Sequence, residues 1–363
     1  MQNRNYNVDL LRILAAIFVI ILHVMGQGGI LRNISPDGAA YWVAWFMEIL
    51  AYCAINCFAI ISGYVMINKT PRLKSIIGLW FQVLFYSLLI TGLCFWFIPE
   101  TRGLKNLIIA CLPVLGKQWW YVSSYFALFF TIPILNTAIH HISQRTYKNF
   151  LLIILIGVCI ADCIVPRDPF VMNDGYSPVW LGVLYFIGGY IRKYILQHKV
   201  TASKSAIAFF AVIMLTVLSK VCIRFVTQKI LGEVKYDNIF ISYTSITIVL
   251  AAIFLFTFCL NVKINNSFNK VIQFVSPAMF GVYLIHVHPL VFDYIIKDAF
   301  SAIANKHIFI MLLYVLVATM TIFLLCSVID LGRIQFFKLI KVDHLCEIMD
   351  EKITKLWQRV FKD

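Results

Sequence analysis

The chain is predicted to fold as an all-α, polytopic integral membrane bundle of about ten transmembrane helices, with both termini cytoplasmic. Three observations predict this. The 363 residues are 61% hydrophobic and 13% charged, with a mean hydropathy of +0.85, whereas an average soluble domain is about 25% charged. The sequence repeatedly runs apolar over the ~18 or more residues that mark a membrane span. Its Lys and Arg residues are unevenly divided between the connections, with about 20 on the cytoplasmic side and about 10 outside if the N-terminus is inward. The net charge of +14 is thereby read as orientation rather than as a nucleic-acid footprint. Ten spans of about 20 residues leave roughly 160 for connections and tails, too few for a separate soluble catalytic domain. Cytosolic or secreted enzymes and single-anchor proteins are excluded, and any chemistry falls to the few polar side chains within the bundle.

In order, the spans are expected at 10–27, 41–66, 76–98, 119–138, 149–166, 178–195, 205–226, 239–260, 271–296 and 308–329. The first has the basic start and apolar stretch of a signal peptide, but Arg12 lies within it and no small-x-small cleavage site follows. Leu104 to Gly116 is apolar but too short to cross, and Pro113 breaks it, so an interfacial or re-entrant helix is expected. In the ninth span, Pro277 and Gly281 permit a kink. Residues 1–330 make the membrane domain. In 331–363, Leu345, Ile348, Met349, Ile353, Leu356, Val360 and Phe361 recur at helical spacing among charges, the pattern of an amphipathic cytoplasmic helix on the membrane surface. The ten cysteines, with Cys53 and Cys57, and Cys159 and Cys163, at i,i+4, read as small packing residues rather than as disulfides or a metal site.

An ionisable group inside a span costs free energy and is a functional candidate with a partner to be found. Arg12 and His23 stand eleven residues apart. Eleven steps of about 100° return to nearly the same helix face, roughly 16 Å further along. Glu48 enters the second span by about 10 Å from the far side, and His286 lies about 22 Å up the ninth, both near the depth of His23. A neutral imidazole at that depth has the form a general base needs, and the same imidazole can instead bond a neighbouring carbonyl. Glu48 orients His23, makes a structural pairing, or snorkels toward the outer surface. Trp119, Trp120 and Tyr121 open the fourth span, as an aromatic belt or as a sugar-stacking platform. Lys69, Arg72 and Lys74 serve either orientation or a phosphate-bearing ligand. Asp162, Lys220, Arg224 and Asp293 lie near outer rims, either lining a polar opening or simply solvated.

Four ordered landmarks carry a family resemblance. They are Tyr6-Asn7-Val8-Asp9-Leu10-Leu11-Arg12 followed by His23; Phe58-Ala59-Ile60-Ile61-Ser62-Gly63-Tyr64; Trp120-Tyr121; and Phe280-Gly281-Val282-Tyr283-Leu284-Ile285-His286. With these the chain resembles the membrane acyltransferase 3 family, in its short form without a C-terminal esterase-like domain. The resemblance implies transfer of an acyl group, most often acetyl from acetyl-CoA, to a hydroxyl of an extracytoplasmic glycan or lipid-linked saccharide. It also implies a multi-pass protein of a bacterial type of cytoplasmic membrane, with no metal and no nucleic-acid partner. It marks Arg12 and His23 as required, and a basic pair opening the third span as donor-binding. That pair is here Arg72 and Lys74, and a lysine lacks the bidentate geometry of a second arginine. In this reading His23 is the base, Tyr283 an oxyanion donor, and Glu48 and His286 further members of the site. A covalent acyl-histidine is a variant of the same chemistry. The competing class, a polysaccharide exporter or export accessory, calls for a wide polar path or inverted repeats with broken helices, neither of which is evident in the sequence.

Overall fold

In the computed structural model, residues 5–164, 168, 170–195 and 200–360 are described. Among them the chain is helical throughout, with no strand. It forms α1 (Tyr6–Leu22), α2 (Ile30–Asn33), α3 (Ala39–Ala51), α4 (Ala54–Met66), α5 (Leu73–Phe97), α6 (Leu104–Cys111), α7 (Trp120–His141) and α8 (Gln144–Ile164). There follow α9 (Pro178–Lys193), α10 (Ala202–Leu231), α11 (Ile246–Asn261), α12 (Asn266–Val275), α13 (Met279–His286), α14 (Pro289–Val291), α15 (Ile308–Leu339) and α16 (Val342–Val360). Among the described residues, eight of the helices, some in consecutive pieces, are long and apolar enough to cross a membrane. Where spans are expected at 178–195 and 239–260, α9 and α11 have only 16 residues each.

Local chemistry explains most boundaries. Asn5 caps α1 by accepting from the backbone N–H groups of Asn7 and Val8, so the first helix starts ahead of its apolar run. Ser177 caps α9, whose first residue is Pro178. Thr201 caps α10, and Gly232 ends it in the left-handed region. The eighth span starts later than its apolar pattern. Within 239–245 the Ser245 hydroxyl, joined by that of Thr247, bonds the Phe240 carbonyl, and these side chains hold a turn in place of a helix. The ninth breaks at Ser276–Ala278, around Pro277. The segment before Pro113 is the eight-residue α6. The tenth helix runs ten residues past its expected end, through the boundary placed at 330. Asp330 is paired there with Arg333 and buried, so its charge does not stop the helix.

α1, α3, α4, α9 and α11 make the interior. Two thirds of the apolar stretch of Ala39–Met66 is buried (67%), against 22% in α10 and in α15, whose apolar faces are left for lipid. The tightest contact is α4 against α9. A Cβ on Gly63 would overlap the Tyr185 carbonyl, and one on Gly188 the Ile60 carbonyl, so two backbones meet where only glycine fits. The Ser62-Gly63 landmark is thus a packing device. Asn7 works similarly. Its amide donates to the carbonyls of Cys259 and Val262, tying the start of α1 to the end of α11. Cys53 and Cys57 are free and buried, and the side chains of Asp162 and Cys163 lie outside the described residues. α16 rests on α5 through Ile77, Val342 and Cys346 and through a Lys74–Glu347 ion pair of 2.6 Å.

Candidate functional site

A cavity of about 850 Å³ opens beside the start of α1, and Asn5, Asp9, Arg12, Asn68, Lys69 and Arg192 are the polar groups near its mouth. Arg12 Nη1 holds Asp9 Oδ1 at 2.6 Å, one turn back on the same helix, while the guanidinium stays partly exposed to the cavity. Arg192, at the end of α9, donates to the Tyr64 hydroxyl at 3.1 Å and lies over the Tyr64 ring at 5.0 Å. Lys69 sits on the turn after α4. The buried Asn136 of α7 holds that turn by donating to the Met66 and Lys69 carbonyls, and itself accepts from Tyr185 Oη at 2.6 Å. Three cations against one carboxylate leave the mouth positive, suited to an anionic ligand.

Inward, the cavity lining becomes Ile55, Phe58, Tyr121, Met279, Phe280 and Tyr283. The rings of Tyr121 and Tyr283 lie 6.1 Å apart, edge to face. The buried Tyr283 hydroxyl faces the Tyr121 backbone without a hydrogen bond of ordinary geometry. Beyond this pair the His286 ring is 6.4 Å from that of Tyr283, and the His23 ring is 5.2 Å from that of His286. Neither histidine lines the cavity itself. His286 is buried, its Nδ1 2.6 Å from the Val282 carbonyl and its Nε2 without a partner. His23 is partly accessible, with its Nδ1 buried and without a partner, and Phe292 packs edge-on at 5.0 Å.

The backbone is irregular where these rings meet. α1 widens into a π-turn over His23–Gln27, and a second π-turn spans Phe292–Ile296. Single π-turns within helices occur often at functional sites. The two are clasped together: the N–H of Asp298 donates to the Gln27 carbonyl at 3.0 Å, and that of Phe300 to the Gly28 carbonyl at 2.8 Å. The carrier of His286 is braced from behind. Gly281 leaves no room for a Cβ against the Asp330 carboxyl, which Arg333, Gln82 and Tyr86 hold in place.

Of the residues singled out in the sequence, Arg12, Tyr121 and Tyr283 therefore line the cavity, and His23 and His286 lie just beyond it. Glu48 is buried near Gly26 on the π-turn, its Oε2 without a partner, and among the described residues no hydrogen bond joins it to His23. Arg72 and Lys74 are not in the cavity. Arg72 is exposed before α5, and Lys74 is engaged by Glu347 of α16. Trp119 is buried against His288 rather than facing a membrane surface, and Trp120 joins a cluster with Tyr176 and Tyr243. Lys220 is a buried partner of Asp237 at 2.7 Å, stacked over Trp45, with Arg224 beside it.

Three groups escaped the sequence reading. Arg192 counted there only toward topology, and no pattern in one sequence marks it. Asn136 and His140 had a signal, since they stand at i,i+4 on one face of α7 and both hold the turn carrying Lys69. His288 is buried against Gln118 and Thr91, two residues beyond the His286 landmark. No group of three His, Cys, Asp or Glu side chains suited to a metal ion forms among the described residues.

A family model described as an acyltransferase domain matches residues 5–331, nine tenths of the chain. No curated protein and no solved structure matches the chain.

Proposed function

Because the chain belongs to the acyltransferase 3 family, we propose that it moves an acyl group, acetyl in the first instance, from cytoplasmic acyl-CoA to a hydroxyl of an extracytoplasmic glycan or lipid-linked saccharide. The observation that carries this reading is the cavity leading from the Arg12, Lys69 and Arg192 mouth to the Tyr121 and Tyr283 pair, with the histidines directly behind it. The phosphates of CoA would rest at the cationic mouth, on Arg192, Lys69 and Arg12 rather than on Arg72 and Lys74. The pantetheine arm would pass along the apolar lining, with the thioester reaching Tyr283. The acceptor would approach from the opposite membrane face, where Glu48 and the Trp120 cluster lie.

In this mechanism His23 takes the proton of the acceptor hydroxyl as its oxygen attacks the thioester carbonyl. The developing oxyanion accepts a hydrogen bond from the Tyr283 hydroxyl, which has no competing partner of ordinary geometry. As the intermediate collapses, the C–S bond breaks and His23 returns the proton to the departing thiolate. The ester and free CoA are the products. Burial of the reacting atoms keeps water from the thioester.

The test is transfer of labelled acetyl from acetyl-CoA into extractable glycan by membranes carrying the protein, together with mass spectrometry of the surface glycans. Wild-type membranes are expected to add an acetyl-sized mass to one glycan, and membranes with His23→Ala to add none while the protein remains inserted. Full transfer by His23→Ala overturns the assignment.

A further inference from the structure

The two histidines carry complementary vacancies. A carbonyl oxygen can only accept, so the 2.6 Å contact of His286 Nδ1 with the Val282 carbonyl puts a hydrogen on Nδ1. The neutral ring then has a bare Nε2, an acceptor, which is buried and has no partner. On the facing ring, His23 Nδ1 is also buried and without a partner. With centroids 5.2 Å apart, facing nitrogens of two imidazoles come to about 3 Å, the length of a hydrogen bond. Rotation of the His23 ring, which leaves the Val282 contact of His286 in place, would bring the two atoms within reach of one another. Left apart, each carries the cost of a buried polar group without a partner.

Resting on the reading of His23 as the base, we infer that His286 is its positioning residue: His286 Nε2 accepts a hydrogen bond from His23 Nδ1–H and so leaves His23 Nε2 as the atom that meets the acceptor hydroxyl. The hydrogen bond made by one ring nitrogen decides which form the other takes. Here the chain of bonds starts from the Val282 carbonyl, passes through His286 Nδ1–H and Nε2, and ends at His23 Nδ1–H. When His23 Nε2 gains the hydroxyl proton, the resulting imidazolium keeps its Nδ1–H bond to His286, with Phe292 packed edge-on against the ring. The backbone clasp between residues 27–28 and 298–300 keeps the π-turn of His23 in register with the segment following His286. Asp330, packed on Gly281, fixes the helix that bears His286.

The experiment is nitrogen NMR of the full-length protein, labelled with 15N-histidine and held in nanodiscs, with the His23 signal assigned by its loss in His23→Gln. The expected result is a His23 ring protonated on Nδ1 and bare on Nε2, and loss of that preference in His286→Leu. Transfer of acetyl from acetyl-CoA is measured alongside. His286→Gln, whose amide oxygen can accept the same bond, is expected to stay within about tenfold of wild type. His286→Leu is expected to lose about a hundredfold in maximal rate with an unchanged KM for acetyl-CoA. A wild-type His23 ring protonated on Nε2, or equal rates for the Gln and Leu variants, overturns the inference. The tautomer is read without turnover, so a wrong tautomer with an inactive His23→Ala removes only this inference. An active His23→Ala removes the base assignment beneath it.

Discussion

Two kinds of buried polar cluster occur in this bundle, and they differ in how completely they are satisfied. Asp330 on α15 accepts from Arg333, Tyr86 and Gln82, and the Lys220 ammonium donates to Asp237 and Asn238 while lying over Trp45. The neighbourhood of His23 is the reverse. His23 Nδ1, His286 Nε2, Glu48 Oε2 and the Tyr283 hydroxyl are all buried with no hydrogen bond of ordinary geometry. A closed network spends its polar groups on one another and holds helices in place. An open one keeps a standing cost that is recovered when its members turn toward one another or when something binds there. The contrast separates ionisable residues that brace this fold from those available to a substrate.

The largest effect that tests the contrast comes from the open cluster. His23→Ala is expected to reduce acyl transfer by roughly 10³-fold or more while thermal unfolding in detergent stays within a few degrees of wild type. A large loss of stability would move His23 into the bracing class. The converse holds for Asp330→Ala, which strips the largely covered Arg333 of its partner and is expected to destabilise by about 3 kcal/mol. The same unfolding measurement checks this. An unchanged transition would mean that the network adds nothing. The cavity mouth lies between these cases. Arg192→Ala is expected to raise the KM for acyl-CoA by roughly tenfold, the effect of one charged hydrogen bond, with the maximal rate little changed. Steady-state kinetics should show no such rise for Arg72→Ala.

The smallest effect belongs to the exposed pair at the tail. Lys74 holds the Glu347 carboxyl below the usual carboxylate range, through its hydrogen bond first and its charge second. A carboxylate lowered on docking contributes stability above its ordinary value of about 4.3. That contribution is lost as the pH falls through the lowered value. The protection of the α16 amides, taken relative to the intrinsic exchange rate at each pH, is therefore expected to be unchanged from pH 7 to about 5 and to fall only below about 4. Lys74→Ala should show the reduced protection already at pH 7. Exchange that is indifferent to both changes would mean that the apolar contacts of Val342 and Cys346 hold the tail without the ion pair.

Much of the molecule is legible along the chain because lipid demands it. Spans must be apolar and backbones must close their own hydrogen bonds, so composition and run length announce a helical membrane bundle. The same pressure makes intramembrane His, Glu and Arg rare enough to be named, and the eleven-residue step from Arg12 to His23 follows from helix geometry alone. The tertiary structure decided what those residues meet. Arg192 reaches the cavity only because α9 packs on α4 through Gly63 and Gly188. Lys74 is withdrawn from the mouth by a tail 273 positions further along the chain. His23 and His286 face one another because two π-turns and a backbone clasp rotate their helices into register, a long-range contact that the local pattern of neither segment encodes. Local patterning determined which groups were buried. Packing between distant segments determined which of them found partners, and hence which remain available for chemistry.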